Sequence, residues 1–296
     1  MDEMRVGIVD VGSNTVRLLV ADVRGGEAAT VYEEREFLGL GAEILAHDRI
    51  RRRKLREVAR VTERFAATAR REGARALEIV VTAPGRQGSS PDDLVSALAH
   101  ATDAPVRIAS EIEEGRLAFA GALSRSDLRD GIVAVCDVGG GSTEIVVGTP
   151  LLGPAWARSV DVGSLRLTAG LLHDDPPTEA QLDAAREEIA ARFAGVVPPR
   201  PDVALATGGS ARAIAKLVGG AYRAQELDDV VRRLASRPAA DTAEEFGLVP
   251  QRACTLAAGA LILQHVALLL AVSFTPARGG IREGAALALA AERAAA

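Results

Sequence analysis

Cysteine is scarce in this sequence. Its 296 residues include only Cys136 and Cys254, with no C-x-x-C pair and no cluster of cysteine and histidine at metal-ligand spacing. Two cysteines cannot supply the disulfide framework that stabilises small secreted domains. The sequence therefore predicts a protein that folds around hydrophobic cores in a reducing, cytoplasmic setting.

Aromatic residues are also few, at 3% of the chain, and the formal net charge is only −5. Recognition of bases or sugar rings by stacking needs exposed aromatic side chains, and bulk binding of nucleic acid needs a strongly basic surface. Neither is favoured, so we predict no nucleic-acid partner. A polyanionic partner would have to be bound at a local basic cleft.

Long uncharged runs are nearly absent. One candidate, residues 253–272, is 20 residues long, but Gln264 and His265 interrupt its centre and no basic flank marks it as a membrane span. We predict a buried core helix there and no membrane contact. The acidic first residues and the early Asp10 also argue against a secretory signal.

Residues 132–147, IVAVCDVGGGSTEIVV, are predicted to form two apolar strands joined by a glycine turn. The three glycines let backbone N–H groups approach an anion, and Ser142 and Thr143 add hydroxyl donors. Asp137 and Glu144 flank the turn and would repel a phosphate unless a cation lay between, which indicates Mg²⁺. The plain alternative is a flexible hairpin loop with ordinary polar residues.

A similar segment stands near the start of the chain. Residues 6–20, VGIVDVGSNTVRLLV, again join two apolar strands through Asp-Val-Gly and a hydroxyl-rich turn. Asp10 and Asp137 lie 127 positions apart, a separation of the size of a domain rather than of a solenoid repeat. The spacing predicts two similar lobes that face each other.

The turns DVGSNT and DVGGGSTE resemble the phosphate-binding turns of the actin, sugar-kinase and heat-shock ATPase superfamily. Within that superfamily, the residues of the two turns are similar to those of the exopolyphosphatase and guanosine pentaphosphate phosphohydrolase (Ppx/GppA) family, in its short two-domain form. The resemblance implies an α/β fold of two ribonuclease-H-like (actin-like ATPase) domains with an interdomain cleft. We place the domains at 1–124 and 125–296, with the last helix, about 282–296, able to pack back on the N-terminal domain.

The resemblance implies that three glycine turns bind phosphate. They supply Gly12, Ser13, Asn14 and Thr15, then Gly139, Gly140, Gly141, Ser142 and Thr143, and finally Gly208, Gly209 and Ser210. The third turn leads into a predicted helix, where free N–H groups and the helix dipole favour an anion. Asp137 and Glu144 are expected to hold the metal, with Asp10 contacting it through water. Mg²⁺ is the expected ion and Mn²⁺ the alternative.

Two further positions come from the resemblance. Arg86 follows a Thr-x-Ala-like turn, where the family has an arginine that reaches the substrate phosphates. Residues 110–115, SEIEEG, match the family's Ser-Gly-x-Glu-Glu-Ala, whose second glutamate is the catalytic base, and the aligned residue is Glu114. Taken alone, acids at this place would merely complement a helix dipole.

The rest of the chain is predicted to alternate strands, at 31–40, 76–82, 106–109, 155–160 and 203–206, with helices, at 50–73, 92–100 and 178–193. A turn-rich stretch, 121–131, is predicted to end one lobe. The run Arg51-Arg52-Arg53-Lys54 opens a helix against its dipole and is interpreted as a solvated face rather than a polyanion contact. Residues 249–252 precede the core helix, where the family tends to have Pro-Glu-Arg-x-Asp. Gln251 and Cys254 replace the two acids of that pattern, so no chemistry is assigned to this stretch.

Together these residues favour an exopolyphosphatase that hydrolyses terminal phosphoanhydride bonds of inorganic polyphosphate, with Glu114 positioning the water. Cleavage of guanosine pentaphosphate (pppGpp) is the nearest alternative, which the scarcity of aromatics slightly disfavours. An ATP-dependent kinase would usually need an aspartate base, and an actin-type nucleotide sensor would need no base at all. Chain-length preference, metal identity and oligomeric state are left open, with a homodimer as one option.

Overall fold

A computed structural model describes residues 3–295. In chain order its elements are β1 (Met4–Val11), β2 (Thr15–Arg24), β3 (Glu27–Phe37), α1 (Leu40–His47), α2 (Arg52–Arg71), β4 (Ala76–Val81), α3 (Pro84–Gln87), α4 (Pro91–Thr102), β5 (Val106–Ile108), α5 (Glu111–Ser124), β6 (Val133–Val138), β7 (Thr143–Thr149), β8 (Gly153–Val160), α6 (Ser164–Leu171), α7 (Glu179–Arg192), β9 (Val203–Thr207), α8 (Gly208–Val218), α9 (Ala224–Ala235), α10 (Ala239–Phe246), α11 (Pro250–Ala253), α12 (Leu256–Leu270), β10 (Phe274–Pro276) and α13 (Ile281–Ala295).

The chain divides into two compact units. Unit 1 runs to Ser126 and resumes at Gly279, and unit 2 spans Asp127–Arg278. Each unit contains a five-stranded mixed sheet, with the order β3-β2-β1-β4-β5 in unit 1 and β8-β7-β6-β9-β10 in unit 2. The two orders are equivalent, because each sheet begins with three antiparallel strands and adds two parallel ones. The duplication predicted from the two Asp-Val-Gly turns is therefore a duplication of topology.

The sheet of unit 1 brings the ends of three strands to one edge. β1 runs parallel to β4, with Val11 opposite Val81, and β4 runs parallel to β5, with Val81 opposite Ile108. Helices α2 and α4 pack on one face, around Phe65 and Leu94, while α5 and α13 cover the other face. In open α/β sheets, ligands bind where the carboxyl ends of neighbouring parallel strands meet.

Glycine allows α5 and α13 to cross closely. A Cβ on Gly121 would lie 1.9 Å from the carbonyl oxygen of Gly280, and one on Gly284 would lie 2.0 Å from that of Leu117. Gly121 lies within α5, which continues to Ser124. The prediction that residues 121–131 form a turn-rich stretch is therefore wrong for residues 121–124. A helical glycine next to another backbone has the same sequence signature as a turn glycine.

Unit 2 has its own core, which centres on α12. Residues of this helix such as Ala258, Ile262 and Leu263 are fully buried, which confirms the predicted core helix within 253–272. None of the helices in residues 3–295 is long and apolar enough to span a membrane. His265 lies against the Phe193 ring, 4.9 Å between centroids, and burial lowers its pKa below the usual value.

Most predicted elements are present, with shifted ends. The strand expected at 31–40 begins earlier, at Glu27, and ends at Phe37. The Thr-x-Ala-like turn after β4 leads into a short helix, α3, which contains Arg86. The helices α9 and α10 lie in a part of the chain for which we made no prediction from the sequence.

Candidate active site

The turns of the β1–β2 and β6–β7 hairpins close in the same way. Gly12 N donates to Thr15 O over 3.0 Å, and Gly139 N donates to Ser142 O over 3.0 Å. These are equivalent positions when Asp10 is aligned with Asp137. The sequence likeness of the two turns is therefore matched by equivalent hydrogen bonds.

The turn of unit 1 holds two polar groups with no acceptor. The carbonyl of Asn14 accepts from Leu38 N and Gly39 N, and that of Ser13 accepts from Gly41 N, which fixes the turn against the start of α1. Within residues 3–295, however, Ser13 Oγ and Asn14 Nδ2 are buried without a hydrogen-bond partner. Buried donors are normally satisfied, so this turn is suited to an anion that would accept from both.

Asp10 lies directly opposite Arg17 in the β1–β2 register. Burial raises the pKa of its carboxyl group above the usual range, and the nearby charges of Arg17 and Arg282 oppose that rise. Arg17 Nε also donates to Thr15 Oγ1 over 3.2 Å. Asp10 thus already has cationic neighbours that offset part of the cost of burying its charge.

Arg86 and Glu114 meet at the same edge of the unit 1 sheet. Arg86, in α3 after β4, donates from Nη2 to Glu114 Oε2 over 2.7 Å and from Nη1 to Ala109 O over 2.6 Å. Glu114 is in the first turn of α5, which Ser110 caps by accepting from Glu113 N. Glu114 is only 5% exposed. Two residues that the resemblance singled out separately therefore form one partly buried ion pair.

Asp137 and Glu144 of unit 2 are direct partners across the β6–β7 hairpin. Both are buried, and like charges at opposed positions destabilise a hairpin. Ser159 Oγ donates to Glu144 Oε1 over 2.8 Å. At the position equivalent to Glu144, the first hairpin has Arg17. A cation at the acid pair would supply the positive charge that unit 1 carries in its own sequence.

The acid pair fits Mg²⁺ better than it fits a metal with an all-protein ligand set. No group of three or more His, Cys, Asp or Glu side chains at metal-binding distance lies in the described part of the chain. Mg²⁺ is commonly bound by one or two carboxylates together with waters and substrate phosphates. Asp137 and Glu144 have the number and chemistry of such a site.

The start of α6 supports the turn of unit 2. Ser164 donates from both N and Oγ to Gly139 O, over 2.9 and 3.1 Å, and Leu165 N donates to Gly140 O over 3.0 Å. A Cβ on Gly163 would lie 2.5 Å from Gly140, so only glycine fits at that position. This segment therefore fixes the backbone of the turn.

The third glycine turn lies against the acid pair. Gly208 has φ +90°, and a Cβ there would come within 2.7 Å of Asp137 Oδ1. Arg252 lies over Gly209 and donates from Nη1 to Ser210 Oγ over 3.4 Å. Asp137, both glycines of the turn and Arg252 are thus neighbours.

Arg252 is the residue that the sequence reasoning missed. It lies in the 249–252 stretch, to which no chemistry was assigned because both family acids are replaced. The arginine of the family's Pro-Glu-Arg-x-Asp pattern is present here, and this match could have pointed to Arg252. The guanidinium brings positive charge to the N-terminus of α8, where the helix dipole already favours an anion.

The model of the Ppx/GppA phosphatase family matches residues 19–292 of this sequence. The chain belongs to the Ppx/GppA phosphatase family. It is 28% identical over 278 residues to exopolyphosphatase 1 of Mycobacterium leprae, covering 88% of this chain and 82% of the relative.

Solved structures of Ppx/GppA proteins share the fold. An Aquifex aeolicus family member aligns with a TM-score of 0.83 at 21% identity, covering 99% of both chains. An exopolyphosphatase from Cytophaga hutchinsonii aligns with a TM-score of 0.86 at 19% identity, covering 97% of both chains. At these identities the likeness shows the fold alone, and it confirms the predicted α/β architecture with two actin-like domains. The role of each Ppx/GppA site residue stays a prediction.

Proposed function

We propose that this phosphatase is an exopolyphosphatase that removes the terminal phosphate of inorganic polyphosphate. The Mycobacterium relatives named exopolyphosphatase support this substrate. The observation that carries the proposal is the partly buried Arg86–Glu114 pair. It lies at the edge of the sheet where the Ser13–Asn14 turn follows β1. A carboxylate beside an arginine can orient and deprotonate a water while the guanidinium holds the phosphate that the water attacks.

In the proposed reaction, Glu114 orients the attacking water and takes its proton as the new P–O bond forms. Arg86 donates to the non-bridging oxygens of the terminal phosphate, where negative charge must be held in the transition state. Ser13 Oγ and Asn14 Nδ2 donate to the phosphate chain and so gain the acceptors that they lack. The anhydride bond to the next phosphate then breaks, and the shortened chain leaves.

The backbone of Gly12 and Thr15 shapes the unit 1 turn. Within unit 2, we propose that the turns 139–143 and 208–210 bind phosphate, and we add Arg252, which lies beside the second turn. Asp137 and Glu144 would hold Mg²⁺, with Asp10 acting through water and Mn²⁺ as the alternative ion. The ion, when bound, neutralises phosphate charge.

The runner-up substrate is pppGpp, which also ends in a linear phosphate chain. A guanine base would call for a stacking surface, and 3% aromatic residues offer few. We propose a cytoplasmic location, in keeping with two free cysteines. We also propose the domain limits 1–124 and 125–296, with the last helix, about 282–296, packing on the N-terminal domain. A homodimer is the oligomeric state to test first, by sedimentation.

Phosphate release from long-chain polyphosphate, tripolyphosphate, pppGpp and ATP, measured side by side with Mg²⁺, tests the substrate. Preferred turnover of polyphosphate is the expected result. Preferred turnover of pppGpp would make the chain a pppGpp phosphohydrolase. Transfer of the ATP γ-phosphate to an added sugar, with no phosphate release, would instead show a kinase and overturn the proposal.

A further inference from the structure

Five exposed arginines are concentrated at the start of α2. They are Arg49, Arg52, Arg53, Arg56 and Arg60, and we call them the arginine stripe. In the described chain, none of the five makes an ion pair or a side-chain hydrogen bond. The net charge of the chain is −5, so this local cluster does not follow from a generally basic surface.

The neighbouring cations differ from the stripe because each has an acidic partner. Arg51 Nε lies 2.6 Å from Glu43 Oε1, and Lys54 Nζ lies 2.8 Å from Glu57 Oε2. Acidic side chains therefore neutralise Arg51 and Lys54, whereas the five arginines of the stripe remain available to a ligand.

Three of the five arginines follow one side of α2. Arg52, Arg56 and Arg60 are four residues apart, so their side chains lie in a row about 12 Å long. Like charges at this spacing repel, and cations in the first turn oppose the helix dipole. The next residue at this spacing, Arg64, is paired with Glu34 and Glu36, so the unpaired row ends at Arg60. A linear anion lying along the row would offset both unfavourable terms.

The stripe begins at the edge of the sheet that carries the site. The last turn of α2 lies near the amino end of β1, where a Cβ on Gly7 would come within 2.9 Å of Ala69, so the first turn points to the carboxyl edge. There, Ser89 donates from N and Oγ to Asp48 O, over 2.8 and 2.7 Å. Asp48 immediately precedes Arg49, and Ser89 is in the loop that follows Arg86.

We propose that the arginine stripe binds distal phosphates of long-chain polyphosphate while the chain end is at Arg86 and the Ser13–Asn14 turn. This inference rests on the proposed function, and it makes the enzyme selective for long chains. Each arginine that neutralises a phosphate releases condensed counterions, as in other protein complexes with linear polyanions. Tripolyphosphate has only three phosphates, which the chain-end site would bind, so we expect it to gain nothing from the stripe.

The test compares two triple variants of the full chain. The stripe variant is Arg52→Gln, Arg56→Gln and Arg60→Gln. The control is Arg24→Gln, Arg200→Gln and Arg293→Gln, which removes the same charge from exposed arginines elsewhere. Neither variant alters a residue placed in the site. Melting curves establish that both are folded, and replacing repelling arginines by glutamine leaves helix propensity nearly unchanged.

For the stripe variant we expect KM for long-chain polyphosphate to rise by about tenfold or more, with tripolyphosphate kinetics unchanged. The salt dependence of long-chain affinity, as a log–log slope, should become shallower by about 2, because each lost contact accounts for about 0.7. The control variant should behave as the wild type with both substrates.

Equal losses with both chain lengths, no loss with either, or the same loss in the control would overturn the proposal. So would unchanged polyphosphate kinetics together with lost binding to anionic phospholipid vesicles or single-stranded DNA, which would assign the stripe to those ligands. If the wild type cleaves no polyphosphate, the proposed function fails separately. In that case, direct binding of long-chain polyphosphate tests the role of the stripe. Binding by the wild type that is lost in the stripe variant would support the proposal, and no binding by the wild type would overturn it.

Discussion

Arg86 Nη2 lies 2.7 Å from Glu114 Oε2, across the two segments that follow β4 and β5. The residue proposed to bind phosphate and the residue proposed to accept a proton from water therefore hold each other before substrate arrives. A terminal phosphate that binds Arg86 must share or displace this contact. Substitution of either residue is thus expected to affect both binding and turnover, in different proportions.

Glu114→Gln should lower kcat on polyphosphate by about 10²- to 10⁴-fold, the usual contribution of a general base. The amide keeps the shape of the side chain, so polyphosphate binding should persist. Glu111→Gln is the matched control, because Glu111 is an exposed acid of the same helical turn. Wild-type turnover in Glu114→Gln would remove this residue from the mechanism.

Arg86→Ala should raise KM for polyphosphate strongly and lower kcat to a smaller extent, because Glu114 loses the partner that orients it. Arg86→Lys should fall between this variant and the wild type, since an ammonium cannot reproduce the two-directional contacts of the guanidinium. Steady-state kinetics measure both effects, with exposed Arg116→Ala as the control. A wild-type KM in Arg86→Ala would show that the assignment of this residue is wrong.

Asp137→Asn should melt at the same or a higher temperature than the wild type in EDTA, because it removes one of two opposed buried charges. Added Mg²⁺ should then stabilise the wild type, by about 2.7 kcal/mol at a hundred times Kd. The variant should not respond. Exposed Asp183→Asn is the control and should respond as the wild type. A full Mg²⁺ response in Asp137→Asn would place the ion elsewhere.

Gly121→Ala should destabilise unit 1 by about 1–3 kcal/mol or more, because the new methyl group would overlap the carbonyl of Gly280, the residue before α13. Gly170→Ala is the matched comparison, since a Cβ there meets nothing within 4 Å and α6 should gain up to about 1 kcal/mol. Denaturant melts of the two variants measure the contrast. Equal effects would mean that the α5–α13 crossing tolerates a wider spacing.

His265 should make the protein less stable in mild acid. Burial lowers its pKa in the folded state, so below about pH 6.5 the unfolded chain takes up a proton that the folded chain resists. Its contribution is present above that pH and is lost as the pH falls towards the lowered value. The change in melting temperature between pH 7.5 and 5.5 should be smaller in His265→Leu. An identical change in the wild type and the variant would contradict this prediction.

The sequence by itself determined the elements whose causes are local. Both Asp-Val-Gly turns were predictable because glycine, hydroxyl residues and flanking β-branched runs act within a few positions. The core helix α12 followed from composition alone, since a long apolar run broken by Gln264 and His265 is suited to a protein interior. The equivalence of Asp10 and Asp137 could also be read from the sequence.

Tertiary structure alone decided which of these residues meet. Gly121 has the signature of a turn residue, yet it lies in α5 because a helix from the far end of the chain packs against it. Arg252 contacts the Gly208–Ser210 turn, although more than 40 positions separate them. Likewise, no local pattern predicts the pairing of Arg86 with Glu114, because it depends on β4 and β5 lying side by side. Short-range preferences set the turns and strands, whereas contacts between distant segments depend on how the whole sheet and its helices assemble.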